Sequence, residues 1–133
     1  EDYWMYYEDM DLSKRVHLSN GKVVLLTDVA IIHNHGGSSR VNIKIASITK
    51  TEVQISKHVY IHTHFEGLEK YLSLCILVIY SLISKSILAV LGVILFFIPK
   101  MRLSIFLWIR ILRYYWNSLL RKTWLSPNSM NNK

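Results

Sequence analysis

The feature that most constrains this chain is an apolar run of 28 residues, 71–98, that carries a single charge, Lys85. As a helix it would be about 42 Å long, which exceeds the ~30 Å hydrocarbon core of a bilayer. A helix of this composition has no polar face to show to water, so the run predicts a membrane-associated segment and not the buried helix of a soluble protein.

Lys85 argues against a simple span. It divides the run into stretches of 14 and 13 residues, and a lysine at the bilayer centre would cost about 2.5–3.5 kcal/mol. Apolar stretches of ~10–14 residues are typical of re-entrant or interfacial segments. We therefore expect residues 71–98 to form a hairpin bent near Ser84, Lys85 and Ser86.

Residues 99–125 have the pattern of a basic amphipathic helix. At about 100° per residue, four arginines between 102 and 121 share one face, and an apolar face rich in Trp and Tyr lies broadly opposite. This pattern predicts a helix lying in a membrane surface. A helix that binds nucleic acid is the alternative, and the aromatic face beside a long apolar run disfavours it. The four basic residues are Arg102, Arg110, Arg113 and Arg121.

Charge is distributed unevenly along the chain. Residues 1–70 contain 8 Lys or Arg and 9 Asp or Glu, whereas residues 71–133 contain 8 Lys or Arg and no acid. By the positive-inside rule the basic C-terminal segment should face the cytoplasm. The single cysteine, Cys75, excludes a disulfide framework and a zinc site built from several cysteines.

Residues 1–70 read as a polar unit of short elements. A short helix should begin where Asp9 or Asp11 can cap it, and Asn20-Gly21 should end it. The apolar runs 23–26 and 29–32 predict two buried strands, and a glycine- and serine-rich loop follows them. Residues 41–56 fit either an extended or a helical segment.

At the other end of the chain, residues 126–133 contain a proline and three asparagines, and this composition predicts a disordered tail.

An acidic cluster and two groups of histidines could carry chemistry. Because neighbouring carboxylates repel each other, one member of the cluster Glu8, Asp9 and Asp11 could act as a general base; acids that merely favour a helix N-terminus are the alternative. His33 and His35 beside Gly36-Gly37 could bind a divalent metal, or lie in a solvated loop. Nothing else marks a zinc site around the later histidines, which predicts surface or membrane-interface positions for them. They are His58, His62 and His64.

These pieces together resemble a known family. The run Tyr6-Tyr7-Glu8-Asp9-Met10-Asp11-Leu12, then Arg15, Gly21, His33 and Gly36-Gly37-Ser38-Ser39, resembles the C-terminal part of family 2 glycosyltransferases, in particular the bacterial rhamnosyltransferase-like members. The resemblance covers residues 1–40 well and residues 41–70 weakly. It implies an α/β fold, with residues 1–70 forming the C-terminal, acceptor and base part of a GT-A (Rossmann-like) domain.

The resemblance also implies a reaction and its residues. A sugar would pass with inversion from a nucleotide-sugar to a hydroxyl of a cell-envelope polysaccharide or lipid-linked acceptor. Asp9 would be the general base, with Glu8 and Asp11 positioning the acceptor or the base. His33, or His35 as the near alternative, would contribute to the diphosphate site and to a divalent metal, Mg²⁺ or Mn²⁺. The segment Gly36, Gly37 and Ser38 would form an acceptor or loop contact.

Part of the family pattern is missing. These 133 residues lack the Asp-x-Asp metal motif that precedes the acceptor half in the family, and they contain no Gly-rich nucleotide-binding turn. We therefore expect a fragment of a longer enzyme or a truncated gene product, inactive alone, at the bacterial inner membrane with its catalytic part facing the cytoplasm. One alternative is a non-enzymatic membrane-anchoring remnant. Another is a metal-binding membrane module that uses His58, His62 and His64.

Overall fold

The architecture, taken from a computed structural model, consists of helices and irregular segments in the part of the chain that it describes, residues 2–32 and 42–132. No strand occurs in that part, so the expected α/β fold of the GT-A type is wrong. The elements are the α-helices α1 (Glu8–Leu18), α2 (Ile43–His64), α3 (Gly67–Ile94) and α4 (Pro99–Arg121), and a short 3₁₀ helix at Met130–Asn132.

The two predicted strands, 23–26 and 29–32, are exposed and irregular. Leu25 is 88% exposed and Ile32 is 95% exposed. A strand needs a neighbour to pair with its backbone N–H and C=O groups, and the described residues supply none. The ambiguous segment 41–56 is instead helical from residue 43 onwards. The side chain of Asn42 caps that helix by accepting a hydrogen bond from the amide of Ile45 at 2.9 Å.

The predicted first helix is present. It begins at Glu8, so Asp9 and Asp11 lie in its first turn and neither caps it. Carboxylates in a first turn interact favourably with the helix dipole. The helix ends at Leu18, and Asn20, with φ of 60°, takes the left-handed conformation that Gly21 was expected to adopt.

The long apolar run forms one continuous helix, α3, and the predicted bend near Ser84, Lys85 and Ser86 is wrong. Lys85 does not interrupt the helix because its side chain lies on the face that meets α2 and α4. The hairpin turn is at residues 95–98 instead, and α4 begins directly after it, with Pro99 in its first turn. At this end α4 passes close to Gly92, where an added Cβ would meet the carbonyl oxygen of Met101 at 2.6 Å.

The basic segment after the turn is helical as predicted, and α4 packs antiparallel to α3 with α2 beside both. Where α2 meets α4, a small core buries four side chains. Indole, phenol and aliphatic groups of the N-terminal segment, α4 and the C-terminal segment pack around them. The four are Ile55, Val59, Ile111 and Tyr114.

The C-terminal segment is folded, so the expected disordered tail is wrong for residues 126–132. Tyr114 donates a hydrogen bond to the carbonyl of Trp124 at 2.8 Å. The amide of Asn128 donates to Glu52 on α2 at 2.8 Å. Ser126 and Ser129 are buried. The asparagines that suggested disorder are therefore the groups that attach this segment.

Candidate functional site

The acidic cluster divides into one buried and two exposed carboxylates. Asp11 is buried, and its oxygens contact the imidazole of His64 (Nε2–Oδ1, 2.6 Å) and the guanidinium of Arg15 (2.9 Å). Glu8 and Asp9 are exposed, and Asp9 accepts a hydrogen bond from the amide of Met10 at 2.8 Å. Asp11 therefore joins α1 to the end of α2, while the other two carboxylates face solvent.

An open cleft of about 560 Å³ adjoins this cluster. Its wall contains the carboxylates of Glu8 and Asp11, the guanidinium of Arg15 and the rings of Tyr3 and Trp4; Asp9 is not part of it. Burial raises the pKa of the Tyr3 hydroxyl, and the negative charge of Asp11 raises it further, so this phenol stays protonated.

The cleft has the chemistry that a sugar needs. Aromatic rings offer an apolar surface with a polar edge, and charged groups can donate to or accept from hydroxyls. A concave site with an apolar wall and a few fixed polar groups is the usual form of a small-molecule site. The lining has two aromatic rings, one guanidinium and three carboxylates, the third from Asp2, and it therefore suits a polyhydroxylated ligand.

The remaining residues of the expected site lie outside the described residues. They are His33, His35, Gly36, Gly37 and Ser38, and their roles stay predictions. Within residues 2–32 and 42–132, no three His, Cys, Asp or Glu side chains come close enough to hold a metal ion. The expected Mg²⁺ or Mn²⁺ site was assigned to His33 or His35, outside these residues, and it stays a prediction.

His58 is buried, so the prediction of a surface or membrane-interface position is wrong for it. Its Nδ1–H donates to the carbonyl of Gln54 at 2.7 Å, which leaves Nε2 to accept from the hydroxyl of Tyr115 at 3.1 Å. The ring stacks on Trp124 with centroids 5.4 Å apart and meets Tyr114 edge-on. Burial lowers the pKa of His58 to about 4, so the ring is neutral at pH 7.

The three later histidines do not converge. The side chain of His64 is 6% exposed because it contacts Asp11, so its predicted surface position is also wrong. His62 is exposed. The metal module that required all three histidines is therefore not assembled among the described residues. The spacing of four residues between His58 and His62 does not reveal that only His58 points inwards. The rings that bury His58 belong to Tyr114 and Trp124, more than 50 residues later in the chain.

Glu52 is a buried acid that the sequence analysis did not single out. It lies on α2, accepts a hydrogen bond from Asn128, and burial raises its pKa. Its only sequence signal is an acid inside a loosely apolar stretch, and that signal does not distinguish a buried carboxylate from an exposed one. Its neighbours make it a structural contact between α2 and the C-terminal segment.

Comparison of the chain with protein-family models, with curated proteins and with solved structures finds no match. The resemblance to family 2 glycosyltransferases therefore remains a hypothesis that depends on the residues themselves. On localisation, one helix in the described part of the chain, Gly67–Ile94, is long and apolar enough to cross a membrane.

Proposed function

We propose that this chain supplies the acceptor side of a membrane-associated inverting glycosyltransferase. The observation that carries the proposal is the cleft, in which Glu8 and Asp11 stand beside the rings of Tyr3 and Trp4. The same acids belong to the Tyr-Tyr-Glu-Asp-Met-Asp-Leu run whose sequence resembles family 2 glycosyltransferases. The acceptor is a hydroxyl of an envelope polysaccharide or a lipid-linked glycan.

In this proposal each acid has its own role. Asp9 does not line the cleft, but it directly follows Glu8 of the cleft wall and is exposed. In the proposal its carboxylate takes the proton of an acceptor hydroxyl that projects from the cleft. Glu8 contacts the acceptor from the cleft wall. Asp11 is a positioning residue, because its contact with His64 fixes the start of α1 against the end of α2.

In this proposal the nucleotide-sugar donor binds at a site separate from the acceptor cleft. As the acceptor oxygen attacks the anomeric carbon, the bond to the nucleotide diphosphate breaks on the opposite face of the sugar. The configuration therefore inverts, and the proton moves to Asp9. Donor and acceptor must both be reached from the cytoplasm, because nucleotide-sugars are cytosolic.

The membrane part of the proposal depends on the outer faces of α3 and α4. Both helices expose apolar side chains at helical spacing, while their opposite faces pack on each other and on α2. Such an outer face is suited to the headgroup and acyl boundary of a bilayer. The exposed residues include Leu72, Ile76, Ile79, Ile83, Ile87 and Val90 on α3, and Phe106, Ile109, Leu112, Trp116 and Leu119 on α4.

Lys85 favours an in-plane arrangement over a crossing. It lies on the packed face of α3, where it shares a pocket with Lys50 of α2. If α3 crossed the bilayer, the polar α2 and the arginines of α4 would be drawn into the hydrocarbon with it, at high cost. We therefore place the α3–α4 hairpin in the cytoplasmic leaflet of the bacterial inner membrane.

The test is incorporation of radiolabelled sugar into lipid-extractable glycan by membranes that contain the full-length protein. Asp9→Asn should reduce the rate at least ~100-fold, the lower end of what a general base contributes. Asp28→Asn removes the same charge from an exposed turn and should change the rate less than ~2-fold. Near-normal activity of Asp9→Asn would remove Asp9 from the mechanism, and no incorporation from any nucleotide-sugar by the wild type would overturn the proposal.

A non-enzymatic membrane anchor is the second candidate, and the exposed apolar faces of α3 and α4 favour it. Such a protein would sediment with membranes regardless of the acidic cluster. Under this alternative, Glu8→Gln and Asp9→Asn would leave the membrane-bound fraction of the protein unchanged.

A further inference from the structure

Three lysines from three different helices converge on one pocket. Lys50 of α2, Lys85 of α3 and Lys100 of α4 line a cleft of about 390 Å³ near the hairpin turn, on the packed side of α3. No carboxylate belongs to its wall, and none of the described acids forms an ion pair with any of the three lysines. The one acid of α3, Glu69, lies 16 residues before Lys85 in the first turn of the helix, and residues 71–133 contain no acid.

Like charges gathered without a counter-charge repel one another, and a protein that keeps them together commonly uses them to bind an anion. Lys85 is the least expected of the three, because it is the only charge in 28 otherwise apolar residues. Lys57 adds further positive charge nearby. The pocket is therefore a concentrated positive site with no described protein group that neutralises it.

The rest of the pocket is apolar. Between the lysines its wall consists mainly of aliphatic side chains from α2, α3 and α4, with Gln54 and Ser104 as the neutral polar groups. A free inorganic anion gains nothing from such a wall, whereas a hydrocarbon chain attached to the anion would bury apolar surface against it. The aliphatic residues include Val53, Leu88, Leu103 and Leu107.

We propose that Lys50, Lys85 and Lys100 bind the phosphate group of a lipid, whose hydrocarbon chain lies on the apolar wall between them. The phosphate comes either from a bulk phospholipid or from a polyprenyl phosphate that carries a glycan. The inference deepens the proposed function, because it depends on the membrane association stated there, but it does not depend on sugar transfer.

The test measures binding to phosphatidylcholine vesicles that contain either phosphatidylglycerol or a polyprenyl monophosphate. Lys85→Gln and Lys100→Gln should each weaken binding to the preferred anionic vesicles at least ~10-fold. Neither should change binding to pure phosphatidylcholine, whose phosphate charge is offset by its choline group. Lys44→Gln is the matched control, because it removes one charge from the same α2 helix outside the pocket, and its effect should stay below ~2-fold. Far-ultraviolet circular dichroism checks that each variant keeps its helices.

The vesicle that shows the selective loss identifies the source of the phosphate. Equal losses in Lys44→Gln and Lys85→Gln would overturn the site, because they would show only general attraction to negative charge. Competition by inorganic phosphate at millimolar concentration, without a preference for either lipid, would overturn the lipid assignment. Because no nucleotide-sugar is present, failure here is distinguishable from failure of the proposed transfer reaction.

Discussion

At the scale of single residues, the side chains and carbonyl groups around His58 keep its ring neutral. Gln54 accepts its one N–H and Tyr115 donates to its other nitrogen, while Trp124 and Tyr114 exclude water from the ring. A proton added to this ring would create a buried charge without a counter-charge, which is costly. The free energy of unfolding should therefore depend on pH through this residue.

We expect the protein to lose stability as the pH falls from about 6.5 to about 4. Unfolded His58 binds a proton below its ordinary pKa of about 6.5, whereas the folded ring, with its pKa lowered to about 4, does not. Between these two pH values the unfolded state binds more protons, so the free energy of unfolding falls by up to about 3 kcal/mol as the pH is lowered through this range. Above pH 6.5 the free energy of unfolding does not depend on the titration of His58. Thermal unfolding in a mild detergent at pH 4–8 measures this.

The control is His58→Gln, which cannot titrate. Its melting temperature should be lower overall, but its pH dependence should be shallower than that of the wild type. Glu52, whose pKa burial raises, acts in the opposite direction in both proteins and cancels in the comparison. Parallel pH profiles for the two proteins would show that His58 does not remain neutral in the folded state.

Sequence reasoning at this scale succeeded with local features and failed with distant ones. The helix that carries Glu8, Asp9 and Asp11 could be predicted because the acids at its start and the Asn20-Gly21 pair after its end are both local signals in the chain. The partner of Asp11, His64, lies 53 residues away, and no periodicity connects the two. Burial of this kind depends on which helices pack together, and an amphipathic pattern does not specify that.

At the scale of elements, α3 and α4 approach each other closely at the hairpin end. The backbone of α4 passes so near to Gly92 that an added methyl group would meet the carbonyl oxygen of Met101 at 2.6 Å and the side chain of Ile105 at 3.0 Å. The carbonyl oxygen belongs to the backbone of α4, so it cannot move away without shifting the helix. The absence of a side chain at residue 92 therefore fixes how tightly α3 and α4 pack.

Gly92→Ala should destabilise the protein by about 1–3 kcal/mol, the usual range for forcing extra atoms into a packed interface. The measurement is the free energy of unfolding in detergent, followed by helical circular dichroism. Val93→Ala, at an exposed neighbouring position, should have a much smaller effect. If Gly92→Ala were as stable as the wild type, or more so, the close packing of α3 and α4 at this position would be refuted.

The sequence predicted helices better than strands for a physical reason. Helices satisfy their hydrogen bonds within one segment, so the amphipathic run 102–122 was sufficient to locate α4. The apolar run 71–98 marked most of the residues of α3, but not that they form one continuous helix. Strands need partners, and the runs 23–26 and 29–32 have none among the described residues. The bend assigned to Lys85 was wrong because a lysine that reaches a neighbouring helix need not interrupt its own.

At the scale of the whole molecule, the turn at residues 95–98 distinguishes the two ways of meeting a membrane. Because α4 runs back along α3, both ends of the hairpin lie on the same side in either case. Only the turn changes sides. It would emerge on the far side if the hairpin crossed the bilayer, and it would stay in the near leaflet if the hairpin lay in the plane.

A single cysteine at Phe97, which is 77% exposed, reports the position of the turn when Cys75 is first replaced by Ser. In intact cells Phe97→Cys should resist an impermeant thiol reagent and react only after the cells are opened. Met130→Cys, at an exposed position of the folded C-terminal segment, should behave in the same way and serves as the cytoplasmic reference. Labelling of Phe97→Cys from outside would show a crossing.

The exposed stretch 22–32 has a consequence for how the protein behaves at high concentration. It presents Val23, Val24, Leu25 and Leu26, then Ile31 and Ile32, with little charge and with high β-propensity. Short segments of this kind are the usual nuclei of cross-β assemblies when they are free to meet copies of themselves. Purified protein should therefore form thioflavin-positive fibrils after a concentration-dependent lag, and a lysine placed at Leu25 should lengthen that lag.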